Sequence, residues 1–103
     1  MILKGKTALI TGSTSGIGAA CATVLAREGA AVMINGFGDP AAIETQRQEL
    51  EKLSGAKALW SGADMTKPDE ISAMVDDCHA KLGGPDILIN NAGVQHVAPI
   101  DEF

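Results

Sequence analysis

Three glycines follow an apolar run near the start of the chain, at a spacing that could bind a phosphate. The stretch Thr11-Gly12-Ser13-Thr14-Ser15-Gly16-Ile17-Gly18 stands between a strand-like run and a helical pattern. Gly12 permits a sharp turn, Gly16 leaves out a Cβ where a pyrophosphate would approach, and Gly18 lets a helix lie close to a sheet. Amide groups and the dipole at the helix start would face the negative charge. A tight strand-to-helix connection would use the same glycines, so residues 12–18, the glycine segment, leave both interpretations open.

Two further polar segments follow later strand-like runs. Asp64 comes just after the third run, where its carboxylate could accept a hydrogen bond from an adenine amino group and the next amide could donate to the ring. Asn90-Asn91-Ala92-Gly93 ends the fourth run, where small residues leave room for a ribose and a nicotinamide. Asn91 could bond to neighbouring backbone and hold the strand ends open. Taken singly, Asp64 is better explained as a solvent-facing residue before a helix, and N-N-A-G as a simple turn.

Short apolar runs alternate with helical patterns along the chain. The predicted strands cover residues 7–11, 31–35, 56–60 and 86–90. The first helix begins at Gly16 and ends at Gly29, and its apolar residues predict a buried stripe of Ile17, Ala20, Cys21, Val24 and Leu25. The second helix covers about residues 41–53, with Asp39 as N-cap and Pro40 at the first position.

The third predicted helix begins at a stretch resembling a capping box, Thr66-Lys67-Pro68-Asp69, in which Asp takes the usual place of Glu. Its buried face is predicted to hold Ile71, Met74, Val75, Cys78 and Leu82. The resulting βαβαβαβ order predicts an α/β fold: the N-terminal portion of a Rossmann-type doubly wound parallel sheet. We expect residues 1–103 to form the dinucleotide-binding portion of a single domain. Strand order would reverse between the first and fourth strands, whose carboxyl ends would border the ligand crevice.

Composition argues against several classes of function. The 103 residues have a net charge of −5, and the eight Lys and Arg residues are scattered, so a nucleic-acid partner is not expected. The N-terminus lacks a long apolar region typical of a signal peptide, and no stretch approaches the roughly 20 apolar residues that span a bilayer. Cys21 and Cys78 both fall in helical patterns and are expected to be reduced thiols, as in a cytoplasmic protein. No cluster of His, Cys and Asp has metal-ligand spacing.

Taken together, T-G-x-x-x-G-I-G, the Asp after the third strand and N-N-A-G resemble the short-chain dehydrogenase/reductase family in order and spacing over the whole chain. The resemblance implies an oxidoreductase with a nicotinamide cofactor. It assigns cofactor binding to residues at the pyrophosphate, the adenine, and the ribose and nicotinamide. These are Gly12, Thr14, Ser15, Gly16, Ile17 and Gly18; Asp64 and Met65; and Asn91, Ala92 and Gly93.

The cofactor is expected to be NAD. Family members that use NAD often carry an Asp at the end of the second strand, and those that use NADP carry Arg or Lys there or in the glycine segment. This chain departs from both patterns with Asn35-Gly36-Phe37-Gly38. No cation is available there for a 2′-phosphate, which favours NAD. Phe37 could pack against the adenosine or cover the neighbouring helix.

The residues after N-N-A-G, together with the N-G-F-G turn, are similar to bacterial family members that interconvert 3-hydroxybutyrate and acetoacetate with NAD. That resemblance places Gln95 at the substrate, where its amide would bond to the carboxylate. It also implies a homotetramer in the complete protein. His96 is not expected to be the base, because the family transfers its proton with a Tyr.

The family's catalytic Ser, Tyr and Lys are not expected in this chain. It contains no Tyr, so the Y-x-x-x-K pattern is missing, and we expect no turnover by these 103 residues alone. The main expectation is the cofactor half of an active 3-hydroxybutyrate dehydrogenase. The alternatives are a stand-alone NAD-binding module without catalysis and a family member acting on another hydroxy or keto substrate.

Overall fold

Four short strands and three helices alternate in the computed structural model, which describes residues 2–91. The strands are β1 (Thr7–Thr11), β2 (Ala31–Asn35), β3 (Ala58–Ser61) and β4 (Ile87–Asn90). The helices are α1 (Gly16–Arg27), α2 (Pro40–Ser54) and α3 (Pro68–Leu82). The predicted order of elements is therefore confirmed.

The four strands form one parallel sheet in the order β3-β2-β1-β4. β1 is central and pairs with β2 on one side and β4 on the other, so that Leu9 is in register with both Met33 and Leu88. Strand order reverses between β1 and β4, which creates a crevice at their carboxyl ends. The predicted Rossmann-type sheet and its switch point are confirmed.

The core has two layers because neighbouring residues of each strand face opposite sides of the sheet. On one side, Ala8, Ile10 and Ile34 pack with buried residues from α1 and α2, which include Ala22 and Leu50. On the other side, a smaller cluster packs the sheet against α3; it consists of Leu9, Met33, Met74 and Cys78. Helices thus pack against both faces of the sheet.

The buried face of α1 differs from the predicted stripe. Ile17 is 74% exposed and Val24 is 57% exposed, and Ala20 is exposed as well. The buried residues are instead Gly18, Ala22 and Ala26, spaced four apart. Small residues at this spacing let the helix backbone approach the sheet, and that approach turns the larger apolar side chains outward. Cys21 and Leu25, also in the predicted stripe, are half-buried.

Three strand boundaries also differ from prediction, one of them the end of β3, at Ser61 rather than residue 60. β3 begins at Ala58 rather than residue 56, because the N–H and C=O of Ala56 both bond to the Ser54 hydroxyl in a turn after α2. β4 begins at Ile87 rather than residue 86. Asp86 instead exchanges two bonds with Thr7: its N–H donates to the Thr7 carbonyl and its carboxylate accepts the Thr7 N–H, both at 2.8 Å.

The predicted start of α2 is confirmed, whereas the capping box of α3 is wrong. Asp39 caps α2 by accepting the N–H of Ala42 at 3.0 Å, with Pro40 as the first helical residue. The N-cap of α3 is Lys67, which makes no side-chain cap bond. The Thr66 hydroxyl donates to Asp64 instead, at 2.7 Å.

The buried face of α3 agrees with prediction only in part. On α3, Met74 and Cys78 are buried as predicted, whereas Val75 is exposed. Cys21 and Cys78 are unpaired, and burial raises the pKa of the Cys78 thiol.

Among residues 2–91, no helix combines the length and the apolar character needed to cross a membrane.

An ion pair from α2 covers the outer edge of β3. The Ala58 N–H donates to Glu51 at 3.0 Å, and the Ala58 carbonyl accepts from Arg47 at 3.0 Å. Arg47 and Glu51 are themselves 2.9 Å apart. Two further bonds from the same guanidinium, from Nε and Nη2, lower the pKa of Glu44 to about 2. The two side chains thus satisfy backbone groups that would otherwise be open to pairing with another strand.

We expect Arg47→Ala to lower the free energy of unfolding by about 1 kcal/mol, because it removes one backbone hydrogen bond and the partner of Glu51. Glu49→Ala is the matched control, since Glu49 is an exposed residue of the same helix. Urea unfolding of both variants measures the difference. Equal stability of the two would show that the ion pair does not support the edge of β3.

Candidate functional site

Every strand of the sheet ends in a polar residue. These residues are Thr11, Asn35, Ser61 and Asn90. The register pairs Asn35 with Ser61 and Thr11 with Asn90, so that all four lie along the carboxyl edge. The Thr11 hydroxyl donates to Asn90 Oδ1 at 3.1 Å and accepts the N–H of Asn91 at 2.9 Å. The edge that borders the crevice is therefore polar, in contrast to the apolar strands beneath it.

The first two residues of the glycine segment are fixed by surrounding side chains. The Gly12 N–H donates to Asn35 Oδ1 at 3.1 Å, and the Gly12 carbonyl accepts from Asn91 Nδ2 at 3.0 Å. The Ser13 N–H donates to the Asn35 carbonyl at 2.6 Å, and the Ser13 carbonyl accepts from Gln46 Nε2 at 2.7 Å. Both peptide groups are thus held from two directions. Asn91 thus bonds to the neighbouring backbone of the glycine segment, as predicted.

The start of α1 presents amide groups that are not used within the described chain. Among residues 2–91, the N–H groups of Gly16, Ile17 and Gly18 have no hydrogen-bond partner, and the Ser15 side chain makes no cap bond. Gly16 has a φ of +61°, and a Cβ there would meet nothing within 4 Å. Free amides and the helix dipole at such a position bind anions.

Gly18 is packed closely against its neighbours, whereas Gly16 faces open space. A Cβ on Gly18 would clash with the Gly12 carbonyl oxygen and lie 2.8 Å from both Ser13 Cα and Asn91 Nδ2. These neighbours are largely backbone that is already fixed by hydrogen bonds. The close approach of α1 to β1 that sequence analysis predicted from Gly18 is therefore present.

A cleft of about 380 Å³ lies above the strand ends beside the glycine segment. The predicted site residues that line it are Gly12, Thr14, Ser15, Phe37, Asp64 and Met65. Across this cleft the Thr14 hydroxyl donates to the Phe37 carbonyl at 3.0 Å. The Phe37 ring is 69% exposed and is available to contact a ligand.

Asp64 carries a negative charge at one end of this cleft. Its Oδ1 accepts the Thr66 N–H at 2.9 Å and the Thr66 hydroxyl at 2.7 Å, and these bonds hold the pKa of Asp64 below its ordinary value. Within the described residues, its Oδ2 and the N–H of Met65 have no partner. Glu70 accepts the Asp64 N–H at 2.9 Å and so anchors the segment to α3. One acceptor and one donor are thus left side by side.

Asn35 and Gln46 also contact the site, although neither was predicted as a site residue. Asn35 is 1% exposed and also donates to the carbonyls of Ser61 and Ala63, at 3.2 Å and 3.0 Å. A polar residue at the end of the apolar run A-V-M-I was a usable signal for Asn35. Gln46 gave no such signal, because its contact with the glycine segment depends on how α2 packs. Three predicted site residues, Ala92, Gly93 and Gln95, lie outside the described residues, as does His96.

A doubly wound sheet with these features at its switch point is typical of enzymes that bind dinucleotides. The chain belongs to the short chain dehydrogenase family, whose sequence model matches residues 6–103. The family resemblance found in the motifs is thereby confirmed.

Among curated relatives, two are named D-beta-hydroxybutyrate dehydrogenase. The protein of Rhizobium meliloti (strain 1021) is 53% identical over 98 residues, covering 95% of this chain and 38% of the relative. That of Cupriavidus necator is 48% identical over 102 residues, covering 99% of this chain and 39% of the relative. The chain thus spans about two fifths of the length of these relatives.

Solved structures with the same fold contain phosphorylated nicotinamide cofactors. A short chain dehydrogenase from Burkholderia cenocepacia J2315 in complex with NADP has a TM-score of 0.84 at 37% identity, covering 100% of this chain and 42% of that one. L-Sorbose reductase from Gluconobacter frateurii, complexed with NADPH and L-sorbose, has a TM-score of 0.79 at 34% identity, covering 100% and 40%.

Proposed function

We propose that residues 1–103 supply the NAD-binding half of an oxidoreductase that interconverts 3-hydroxybutyrate and acetoacetate. The observation that carries the cofactor proposal is the placement, at the start of α1, of amides that have no partner within residues 2–91, beside a cleft that also holds Asp64. When bound, the nicotinamide ring would supply the hydride chemistry.

The described residues fit the parts of a dinucleotide. The amides of Gly16, Ile17 and Gly18 would donate to the pyrophosphate, and the neighbouring Ser15 hydroxyl could add a further donor. Asp64 Oδ2 would accept from the adenine amino group, with the Met65 N–H donating to the ring. We propose in addition that Asn91, Ala92 and Gly93 line the ribose and nicotinamide end, as the family resemblance implies.

The charge around the cleft favours NAD over NADP. Among the described residues, neither Lys nor Arg lines the cleft or the adjoining groove beside Phe37 and Gly38, and Asp39 lies in that groove. A 2′-phosphate there would meet no cation and one carboxylate. This is the physical basis for proposing NAD, although the structures compared above contain NADP or NADPH.

The substrate proposal rests on the relatives and on Gln95. The two D-beta-hydroxybutyrate dehydrogenases are 53% and 48% identical to this chain, whereas a 2-dehydro-3-deoxy-D-gluconate 5-dehydrogenase of Formosa agariphila is 42% identical. Gln95 would donate to the substrate carboxylate without adding a charge. These identities favour 3-hydroxybutyrate over another hydroxy or keto substrate, and an enzyme over a module without catalysis.

Catalytic groups would have to come from outside these 103 residues, which contain no Tyr. We therefore propose that the stretch alone binds cofactor without turnover. We also propose, from the family resemblance, that the complete enzyme is a homotetramer. The unpaired cysteines Cys21 and Cys78 favour the cytoplasm, where thiols remain reduced.

The cofactor proposal is tested by calorimetry, in which the full-length protein is titrated separately with NAD and with NADP. We expect the Kd for NAD to be at least about tenfold lower, since an unpaired phosphate beside a carboxylate costs more than about 1.4 kcal/mol. Equal or tighter binding of NADP would overturn the preference. If another hydroxy acid reduced NAD and 3-hydroxybutyrate did not, the proposed substrate would be wrong, whereas the proposed cofactor would stand.

We expect Asp64→Asn to weaken NAD binding about tenfold, because it removes a charge-assisted hydrogen bond. The amide oxygen can still accept from Thr66, but the NH₂ group would then face the adenine amino group. Asp69→Asn, an identical change at an exposed residue in the first turn of α3, is the matched control. Equal Kd values for the two variants in the same titration would remove Asp64 from the adenine contact.

A further inference from the structure

We infer that Asn35 is a positioning residue that sets the separation between the pyrophosphate and adenine contacts of the proposed site. Asn35 contacts neither ligand group in this scheme, so it would act through the two backbone segments that it joins. The inference rests on the proposed function and adds to it a residue that couples the two ends of the adenosine site.

The Asn35 amide makes three hydrogen bonds to backbone. Oδ1 accepts the Gly12 N–H at 3.1 Å, and Nδ2 donates to the carbonyls of Ser61 at 3.2 Å and Ala63 at 3.0 Å. An amide side chain has two N–H donors, and both are satisfied here. Because the residue is 1% exposed, water does not compete for these bonds.

These three bonds connect the two segments that would hold the cofactor. Gly12 is the first residue of the glycine segment, and Ala63 directly precedes Asp64. Among the described residues, no hydrogen bond joins residues 12–18 directly to residues 61–66. The Asn35–Gly36 peptide links Ser13 to Ser61, and the Asn35 side chain links Gly12 to Ala63, so that the side chain provides the path that reaches the residue next to Asp64.

A dinucleotide can use both contacts at once only if their separation matches its own. Ligand groups held at the wrong distance lose the benefit of simultaneous binding. Asn35→Asp keeps an oxygen that can accept the Gly12 N–H, but it replaces Nδ2 with an oxygen that faces two carbonyl oxygens. The change should free Ala63 and the adjoining Asp64 from β2 while leaving Ser61 paired in the sheet and the glycine segment attached to β2.

The test compares NAD with nicotinamide hypoxanthine dinucleotide, in which an oxygen replaces the adenine amino group. Because this change also places a proton on ring N1, the ratio of the two Kd values reports the contacts at Asp64 and at the Met65 N–H. The ratio does not depend on the fraction of protein that is folded. Gln46→Glu is the matched control, because it is also an amide-to-acid change, and Gln46 bonds to Ser13 of the glycine segment without reaching residues 61–66.

For the unaltered protein we expect the hypoxanthine analogue to bind about tenfold more weakly than NAD. In Asn35→Asp the ratio should fall to nearly equal affinity, and in Gln46→Glu both Kd values should rise while the ratio is kept. Asn35→Ser, which introduces no buried charge, should also lose the ratio and serves if the acidic variant does not fold.

The outcomes separate this inference from the proposed function. If the unaltered protein binds neither dinucleotide, the proposed function fails, and the inference fails with it. If it binds both equally, cofactor binding stands but Asp64 has no adenine contact for Asn35 to position, and the inference is overturned. An unchanged ratio in folded Asn35→Asp or Asn35→Ser would also overturn it, as would loss of the ratio in Gln46→Glu alone.

Discussion

Gly16→Ala should weaken NAD binding by about 10- to 100-fold, which corresponds to the 1–3 kcal/mol typical of inserting a methyl group into a filled space. In the protein itself a Cβ at Gly16 meets nothing within 4 Å, so the added group does not clash with the chain. It would occupy space beside the free amides of α1, where we propose that the pyrophosphate lies. The φ of +61° adds about 1 kcal/mol of backbone strain, which affects stability rather than contact with the ligand.

Gly55→Ala separates these two effects. Gly55 has a φ of +69°, is also free of neighbours within 4 Å, and lies at the end of α2. We expect the two variants to lose similar free energy of unfolding, measured in urea. Only Gly16→Ala should lose affinity in a titration with NAD. Similar affinity in both folded variants would place the pyrophosphate elsewhere.

Gly18→Ala should act on the fold, lowering the free energy of unfolding by about 2–3 kcal/mol through overpacking. Its Cβ would clash with the Gly12 carbonyl oxygen, with Ser13 Cα 2.8 Å away. Neither atom can easily shift, because hydrogen bonds from Asn35, Asn91 and Gln46 fix both peptide groups. NAD binding should fall together with stability, since movement of α1 would displace its free amides.

Gly62→Ala is the control for Gly18→Ala. A Cβ on Gly62 would lie 2.9 Å from the far end of the Trp60 ring, a half-exposed side chain whose single hydrogen bond, from Nε1–H to the Gly36 carbonyl, costs less to distort than fixed backbone. Its effect on thermal unfolding should therefore be much smaller. Equal destabilisation by both substitutions would mean that the clash with fixed backbone at Gly18 is not what makes glycine necessary there.

The parts of the fold that sequence predicted correctly depend on local chemistry. Asp39 before Pro40 marks the start of α2, and the glycine segment marks the junction of β1 and α1; both are present. Alternation of short strands with helices likewise predicts the parallel sheet, because a parallel strand needs a crossover. The residues Thr14, Phe37 and Asp64 come from three different loops, yet they meet at one cleft because parallel strands end on the same edge.

The parts that sequence did not predict depend on packing between elements. Apolar periodicity in α1 predicted that Ile17 and Val24 are buried, but the smaller Ala22 and Ala26 pack against the sheet. Periodicity records which residues are apolar and not how closely a helix approaches its neighbours. The roles of Asn35 and Gln46 were missed for a related reason, since their partners are backbone groups 23 and 33 residues away along the chain.

The central claim is that the start of α1 and the segment at Asp64 bind the two ends of one adenosine diphosphate group. A two-dimensional amide NMR titration with NAD tests it most directly. We expect saturable shifts, with a single Kd, at the amides of Gly16, Ile17, Gly18 and Met65. The amides of Gly55 and Gly83, which lie at the ends of α2 and α3, should not move. Absence of shifts at the glycine segment and at Met65 in the folded protein at millimolar NAD would contradict the account.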